Sequence, residues 1–237
     1  MAGTIEEMID LVWSPPRGVK RQHRDRKHPD NLQYYRQWEF TIYRTYYGPD
    51  SDKYWKMLLG ALEQQTKLAF GCYQDEEDTD QGDVQRLKGL FHLDTRENPL
   101  LLDGLDVRGI RKFCQSEKFD DKRVIAGHLF HFILLADEAV LKDISEREFI
   151  VKAVSLDWFE GHPGWGWMRI PTGYLLELWS LLMRRSYQTE GALCFNGPEQ
   201  DLKDYVWPGD LALDDTGSCS EVRPFLHYSG QSPDRTY

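Results

Sequence analysis

The sequence lacks the features by which secreted, disulfide-rich and membrane-spanning proteins are recognised. Its 237 residues include only 4 cysteines, and no two of them form a C-x-x-C pair, which argues against a disulfide framework and a zinc site. No segment reaches the roughly 20 apolar residues of a transmembrane helix. The start, MAGTIEEMIDLVW, carries acids where a secretory signal is basic and then apolar. We therefore expect a cytoplasmic protein that does not bind a membrane.

Familiar motifs of catalysis and cofactor binding are also missing. The sequence contains no G-x-S-x-G elbow, no G-x-x-x-x-G-K-[ST] phosphate loop and no H-E-x-x-H zinc helix. We predict no cofactor and no metal. These absences leave open whether the protein is an enzyme.

The charge is strongly uneven along the chain. The net charge is −10, yet six basic residues lie between Arg17 and His28 beside a single acid. Because the acidic remainder repels phosphates, we do not expect a nucleic-acid partner. Pro15 and Pro16 end any helix begun by IEEMIDLVW, so residues 1–35 are predicted to be a basic, lightly ordered leader. A nuclear-import signal is the alternative interpretation of the basic run.

The alternation of apolar and polar residues from Trp38 predicts the first strand. Trp38, Phe40 and Ile42 fall on one side of such a strand, which we expect to face the core. A turn at Gly48 to Ser51 then begins a helix. Its apolar stripe consists of Trp55, Leu58, Leu59, Leu62 and Ala69.

The same rhythm of strand, acidic turn and helix continues through the chain. Further strands are predicted at residues 90–94, 129–135 and 149–158, and the second of these is apolar on both faces, which places it in the middle of a sheet. Helices are predicted after Asp103 or Asp106, after Asp137 and from Pro171. The acidic stretch QDEEDTDQGD, between the first helix and the strand at residues 90–94, is predicted to be an exposed loop.

These elements predict one α+β domain spanning residues 36–190. We expect a mixed sheet of about four strands with helices packed mainly on one face, as a variant of the ferredoxin-like sandwich. Residues 191–237 are rich in Gly, Pro, Asp and Ser. They are predicted to form an irregular acidic tail that packs on the domain through Trp207 and Phe225.

The first strand also carries a likeness to other proteins. The chain resembles a family of uncharacterised proteins from filamentous fungi in three stretches. These are W-x-F-x-I-Y-R-T-x-Y in the first strand and, further along, LLLDGLDVRGIRKF and GWGWMRIPTGYLLELW. The likeness touches most of residues 38–185. Because the members of that family have no assigned activity, the resemblance implies a source and a rhythm of elements, and no catalytic residue.

Arg44 is the most informative charged residue in the predicted core. By parity it lies on the same strand face as Trp38 and Ile42, where an unpaired guanidinium would be costly. Asp94 and Asp137, which end neighbouring strands, are its predicted partners in a structural ion pair. An anion-binding arginine at the strand end is the alternative.

Two further groups of residues are candidate sites. His92 and Asp94 share a strand face, and with either His128 or His131 they could form an acid–base group near Tyr43, or a metal site as a weaker alternative. The loop EGHPGWGWMRIP, residues 160–171, offers flexible glycines and the broad indoles of Trp165 and Trp167. That loop is either a binding surface or a packed crossover between a strand and a helix.

Two functional hypotheses follow. In the first, the protein is a non-catalytic intracellular protein that recognises a partner protein through exposed aromatic residues around Trp165 and Trp167. In the second, it binds a small molecule or performs acid–base catalysis in a pocket between sheet and helices. The pocket residues would then be Tyr43, Arg44, His92, Asp94 and His131.

Overall fold

A five-stranded mixed sheet forms the centre of the protein. The computed structural model describes residues 4–15, 25–73, 79–116, 124–125, 128–129, 132–162, 164–183, 195, 197–207 and 209. Its strands are β1 (Trp38–Arg44), β2 (Phe91–Arg96), β3 (Val124–Ile125), β4 (His128–Leu129), β5 (Phe132–Ala136), β6 (Ile150–Ser155) and β7 (Trp167–Pro171). The sheet has the order β2-β1-β5-β6-β7, and β3 and β4 form a separate hairpin.

Seven described α-helices surround the sheet. They are α1 (Ile5–Val12), α2 (Ser51–Leu68), α3 (Gln81–Leu90), α4 (Pro99–Leu102), α5 (Val107–Ser116), α6 (Glu138–Ser145) and α7 (Leu175–Met183). Short 3-10 turns occupy Pro29–Tyr34, Ala69–Tyr73, Thr172–Tyr174 and Glu199–Lys203. No helix in the described part of the chain has both the length and the apolar character to cross a membrane.

The predicted first strand is confirmed in position and in orientation. Trp38, Phe40 and Ile42 are all buried on one face of β1. This strand pairs in parallel with β2 on one side and with β5 on the other. The remaining two pairings, β5 with β6 and β6 with β7, are antiparallel. β5 therefore lies in the middle of the sheet, as predicted for the apolar run at residues 129–135. Leu129, at the start of that run, belongs instead to β4 of the separate hairpin.

The sheet is covered unequally on its two faces. One large cluster joins Trp38, Phe40 and Ile42 to apolar residues of α1, α2, α3, α6 and α7. A smaller cluster on the other face joins Tyr43, Leu135 and Val154 to Ile110 of α5 and to Leu102 of α4. The prediction of an α+β fold with a mixed sheet is thus confirmed.

The strand order differs from that of a ferredoxin-like sandwich. There, the split βαβ unit places a third strand between the two that the helix connects. Here β1 lies directly beside β2, with Trp38 opposite Phe91 and Tyr43 opposite Arg96. The sheet also has a fifth strand, β7, in the stretch that we predicted to be a loop.

The described part of the leader is more ordered than its composition predicts. Thr4 and Glu7 form a capping box at the start of α1, which satisfies backbone amides that would otherwise lack partners. Ile5, Met8 and Ile9 are buried in the large cluster. The helical spacing of these side chains gives α1 an apolar stripe, and this stripe outweighs the proline and basic residues that follow. The basic residues 17–24 lie outside the described residues.

Part of the predicted acidic loop is a helix. Asp80 caps α3 by accepting from the amide of Gly82 at 2.8 Å, and Asp83 in the first turn is buried. The burial of this carboxylate is explained by Arg26, whose Nη2 lies 3.3 Å from it. Residues 74–78 of the same stretch lie outside the described residues.

The C-terminal segment packs against the edge strand β7. Trp207 is buried, and its amide donates to the carbonyl of Arg169 at 2.8 Å. Val206 forms a parallel bridge with the same arginine. Phe225, the second predicted anchor, lies outside the described residues.

Candidate functional site

Arg44 ends β1 with its side chain enclosed by protein groups. Only 3% of the residue is exposed. Its guanidinium is paired with the carboxylates of Asp52 and Glu97, the latter at 3.2 Å. Two further donors are used as well, because Nε donates to the carbonyl of Tyr46 at 3.0 Å and Nη2 to the Ser51 hydroxyl at 2.8 Å.

The two carboxylates that we predicted to pair with Arg44 are elsewhere. Asp94 lies beside Thr41 in the register of β1 and β2. The side chains of Thr41 and Arg44 lie on opposite faces of the sheet, because the two residues are three apart in one strand. Asp94 therefore accepts from Thr41 and from Arg96. Asp137 caps α6 through the amide of Val140 and pairs with a lysine of β6. The prediction of these partners was wrong.

Tyr47 connects the loop that follows β1 to the loop that follows β2. Its hydroxyl donates to the carbonyl of Arg44 at 3.0 Å and accepts from the amide of Asn98 at 2.9 Å. The guanidinium carbon of Arg44 lies 4.6 Å from the centre of the Tyr47 ring, which is cation–π geometry. Burial raises the pKa of the Tyr47 phenol above its ordinary value. These contacts hold the two loops in one arrangement.

α4 begins at the end of this network and presents two leucines to solvent. The Asn98 side chain accepts from the amide of Leu100 at 3.1 Å, which caps the helix. Leu102, the last residue of α4, is buried. Leu100 is 95% exposed and Leu101 is 57% exposed. We refer to Leu100 and Leu101 as the exposed leucine pair.

The sequence analysis did not identify the exposed leucine pair. The available signal was the run of three leucines after Asn98-Pro99. A helix of four residues can direct only part of such a run toward the core, and here only Leu102 is buried. The other two leucines therefore remain on the surface.

Among the described residues of the predicted pocket, Tyr43, His92 and Asp94 share one face of the sheet, and Arg44 lies on the other. Tyr43 lies on the opposite sheet face from Arg44, where its ring packs edge-on against Phe113 at 6.3 Å. His92 is exposed on β2, and His131 lies outside the described residues. Among the described residues there is no group of three or more His, Cys, Asp or Glu that could hold a metal ion.

Trp165 and Trp167 contact the C-terminal segment. The Trp165 indole donates to the carbonyl of Gly197 at 2.8 Å, and the Trp167 indole donates to Glu199 at 3.4 Å. Both side chains are half-buried. Trp167 itself belongs to β7, so the predicted loop ends earlier than expected, in a hairpin between β6 and β7.

Arg111 of α5 holds the loop between β6 and β7 through hydrogen bonds to backbone carbonyls. It is 7% exposed and donates to three carbonyls: Nε to that of Ser155 at 2.8 Å, and Nη2 to those of Trp165 at 3.3 Å and Gly166 at 2.8 Å. Its guanidinium carbon also lies 4.9 Å from the centre of the Trp158 ring. Burial lowers the pKa of Arg111 from its ordinary value. These contacts assign Arg111 a structural role in holding the loop.

Helical spacing was the signal that could have identified Arg111. In VRGIRKFC, residues 107, 110 and 114 form the apolar stripe of α5, and residue 111 lies within it.

At the tip of the hairpin loop, Phe159 is 60% exposed, and its ring centre lies 3.9 Å from that of His162.

The comparisons with known proteins give no relative for this chain. No protein-family model matches it, and neither a curated protein nor a solved structure does.

Proposed function

We propose that this is a non-catalytic intracellular protein that recognises another protein through the exposed leucine pair. The observation that carries the proposal is the 95% exposure of Leu100 on a helix whose start and end are both fixed. Contiguous exposed apolar surface can mark a site at which another protein binds. Apolar side chains that enter a partner's pocket supply much of the binding energy of an interface.

The surroundings of the pair support a recognition role because they are preorganised. On the N-terminal side, the amide of Asn98 is bonded to Tyr47, and Glu97 is bonded to Arg44. On the C-terminal side, Leu102 is buried, and the amide of Gly104 donates to the carbonyl of Thr45 at 2.9 Å. A rigid surface loses little conformational entropy when it binds.

The other two candidate surfaces have less support. A small-molecule pocket at Arg44 would require donors that are already used by Asp52, Glu97, Ser51 and Tyr46. At the hairpin loop, the indole donors of both tryptophans are bonded to the chain's own C-terminal segment.

The test is a selection of random peptides displayed on phage against the full-length protein. A double variant, Leu100→Ser with Leu101→Ser, serves as the counter-target. Phe159→Ser, which changes an exposed apolar residue on the hairpin loop, is the matched control. We expect enriched peptides that bind the wild type and the control, and that bind the double variant at least about tenfold more weakly.

Thermal unfolding of all three proteins accompanies the selection. The leucines are exposed, so the double variant should unfold at nearly the same temperature as the wild type. Enriched peptides that bind the double variant as well as the wild type would contradict the proposal. A selection that enriches no peptide would contradict it too.

A further inference from the structure

The charges around the exposed leucine pair identify the kind of partner. We infer that the pair binds a protein segment that combines apolar side chains with lysine or arginine; this inference rests on the proposed function. Glu97 and Asp103, which flank the pair in the chain, both have exposed side chains. Asp52 joins them, since it and Glu97 pair with the same guanidinium of Arg44.

The spatial grouping of these acids is visible at Tyr47. Its hydroxyl accepts from the amide of Asn98, the neighbour of Glu97, at 2.9 Å. The amide of Gly104, the neighbour of Asp103, donates to the carbonyl of Thr45 at 2.9 Å, so both acids lie beside the loop that follows β1. Arg44 balances one of the two charges of Asp52 and Glu97, with which it is paired, and Arg96 is paired with Asp94 at 2.7 Å. The surface around the leucine pair therefore carries excess negative charge.

Each part of this surface favours a different part of the partner. The leucines gain free energy when apolar side chains cover them, because apolar surface leaves water. The carboxylates attract cationic side chains at the rim, which accelerates association and selects against acidic partners. Since the rim charges are exposed, this contribution should weaken as salt is added.

A lipid surface is a less suitable partner for the same residues. Leucines can enter a bilayer interface, but cellular membranes that recruit proteins electrostatically are anionic and attract basic segments. The carboxylates around the pair would be repelled by such a surface. Protein segments, by contrast, can place cationic side chains at chosen positions.

The experiment uses two synthetic peptides with identical leucine and phenylalanine positions. One peptide carries lysine at every charged position and the other carries glutamate. Each is labelled with fluorescein and titrated with the full-length protein, and binding is followed by fluorescence anisotropy at low and at high salt. We expect the lysine peptide to bind at least about tenfold more tightly at low salt, and this preference to shrink at high salt.

Two variants connect the preference to the site. Asp103→Asn should weaken binding of the lysine peptide by about threefold, whereas Glu146→Gln, which removes an exposed acid directly after α6, should leave it unchanged. The double variant Leu100→Ser with Leu101→Ser should lose binding of the lysine peptide.

The outcomes separate the inference from the proposed function. If the two peptides bind equally and the leucine double variant binds neither, the inference of a basic partner is wrong and the proposal of protein recognition is supported. Binding of neither peptide also overturns the basic partner, and the phage selection then decides recognition separately. Binding that survives in the leucine variant overturns both. Leucine-dependent binding to phosphatidylserine vesicles instead of the peptides would overturn the protein partner in favour of lipid.

Discussion

The hydroxyl of Tyr47 accepts a hydrogen bond from the backbone amide of Asn98 at 2.9 Å, across 51 residues of chain. This bond joins the loops that follow β1 and β2, beyond the C-terminal ends of these two parallel strands. The start of α4, and with it the exposed leucine pair, is positioned by this contact. The arrangement leads to predictions that can be tested without knowing the partner.

Tyr47→Phe should lower the free energy of unfolding by about 1–2 kcal/mol, because the hydroxyl both donates and accepts a hydrogen bond. Urea denaturation measures the change. Tyr54→Phe is the control, since the Tyr54 hydroxyl makes no hydrogen bond within the described residues. Equal stabilities of the two variants would contradict the assignment.

Alkaline pH should destabilise the wild type more than Tyr47→Phe. Burial raises the pKa of the Tyr47 phenol in the folded protein, so the unfolded chain loses this proton first. The contribution of Tyr47 is therefore complete below about pH 10, its ordinary pKa, and is lost as pH rises through the folded pKa. Urea denaturation at several pH values above 9 measures both slopes, and identical slopes would count against the raised pKa.

Arg44→Leu should cost about 2–3 kcal/mol of stability, since it removes several charge-assisted hydrogen bonds from a buried position. The matched change, Arg96→Leu, removes a partly exposed ion pair on the next strand. It should cost at most about 1 kcal/mol. Guanidinium denaturation of both variants tests the difference, and a neutral Arg44→Leu would show that the enclosed guanidinium is not structural.

Gly166→Ala should lower stability by about 1–3 kcal/mol. Gly166 has a φ of +66°, and an added Cβ would lie 2.7 Å from Nη2 of Arg111 and closer still to the Trp158 ring. In contrast, Gly60→Ala on α2 meets no atom within 4 Å. It should raise stability by about 0.5–1 kcal/mol, because alanine favours a helix interior. Differential scanning calorimetry compares the two, and a change of the same sign in both would refute this account.

Ile9→Ala should cost about 2–4 kcal/mol, because Ile9 on α1 is fully buried in the large cluster. Leu68→Ala on α2 is the control, since Leu68 is largely exposed. It should change stability by less than about 0.5 kcal/mol. If chemical denaturation finds Ile9→Ala equally mild, α1 does not contribute to the core as described.

Much of the fold was predictable because the central strands carry local patterns of buried residues. The alternation at Trp38, Phe40 and Ile42 gives β1 its position and orientation, and the apolar run that ends in β5 gives that strand a central place. Parity alone also predicts that Arg44 is buried. Such patterns are local, and a single buried face is enough to produce them.

Other elements were missed because distant partners determine them. α3 begins within an acidic run, and the buried Asp83 pairs there with Arg86 of the same helix and with Arg26, which reaches it from the N-terminal segment. The charge of residues 1–35 also concealed the apolar stripe of α1. Composition was the wrong guide in both cases, since burial depends on which segments meet.

The candidate site was the least predictable part of the molecule. The partners of Arg44 depend on the paths of two turns, and these paths direct Asp52 and Glu97 toward it instead of Asp94 and Asp137. The exposure of Leu100 is likewise invisible in the local pattern, because an apolar residue predicts burial. Only the assembled structure distinguishes the leucine that packs from the two that do not.

The position of β1 between β2 and β5 has a consequence for biosynthesis. Both of its neighbours lie later in the chain, and β5 follows only after α2 to α5 have been made. During translation β1 therefore keeps at least one open edge until most of the protein has left the ribosome, and non-local pairing of this kind is slow. Nascent chains that stall before Leu134 would leave one edge of an apolar strand unpaired, and such edges are prone to aggregation.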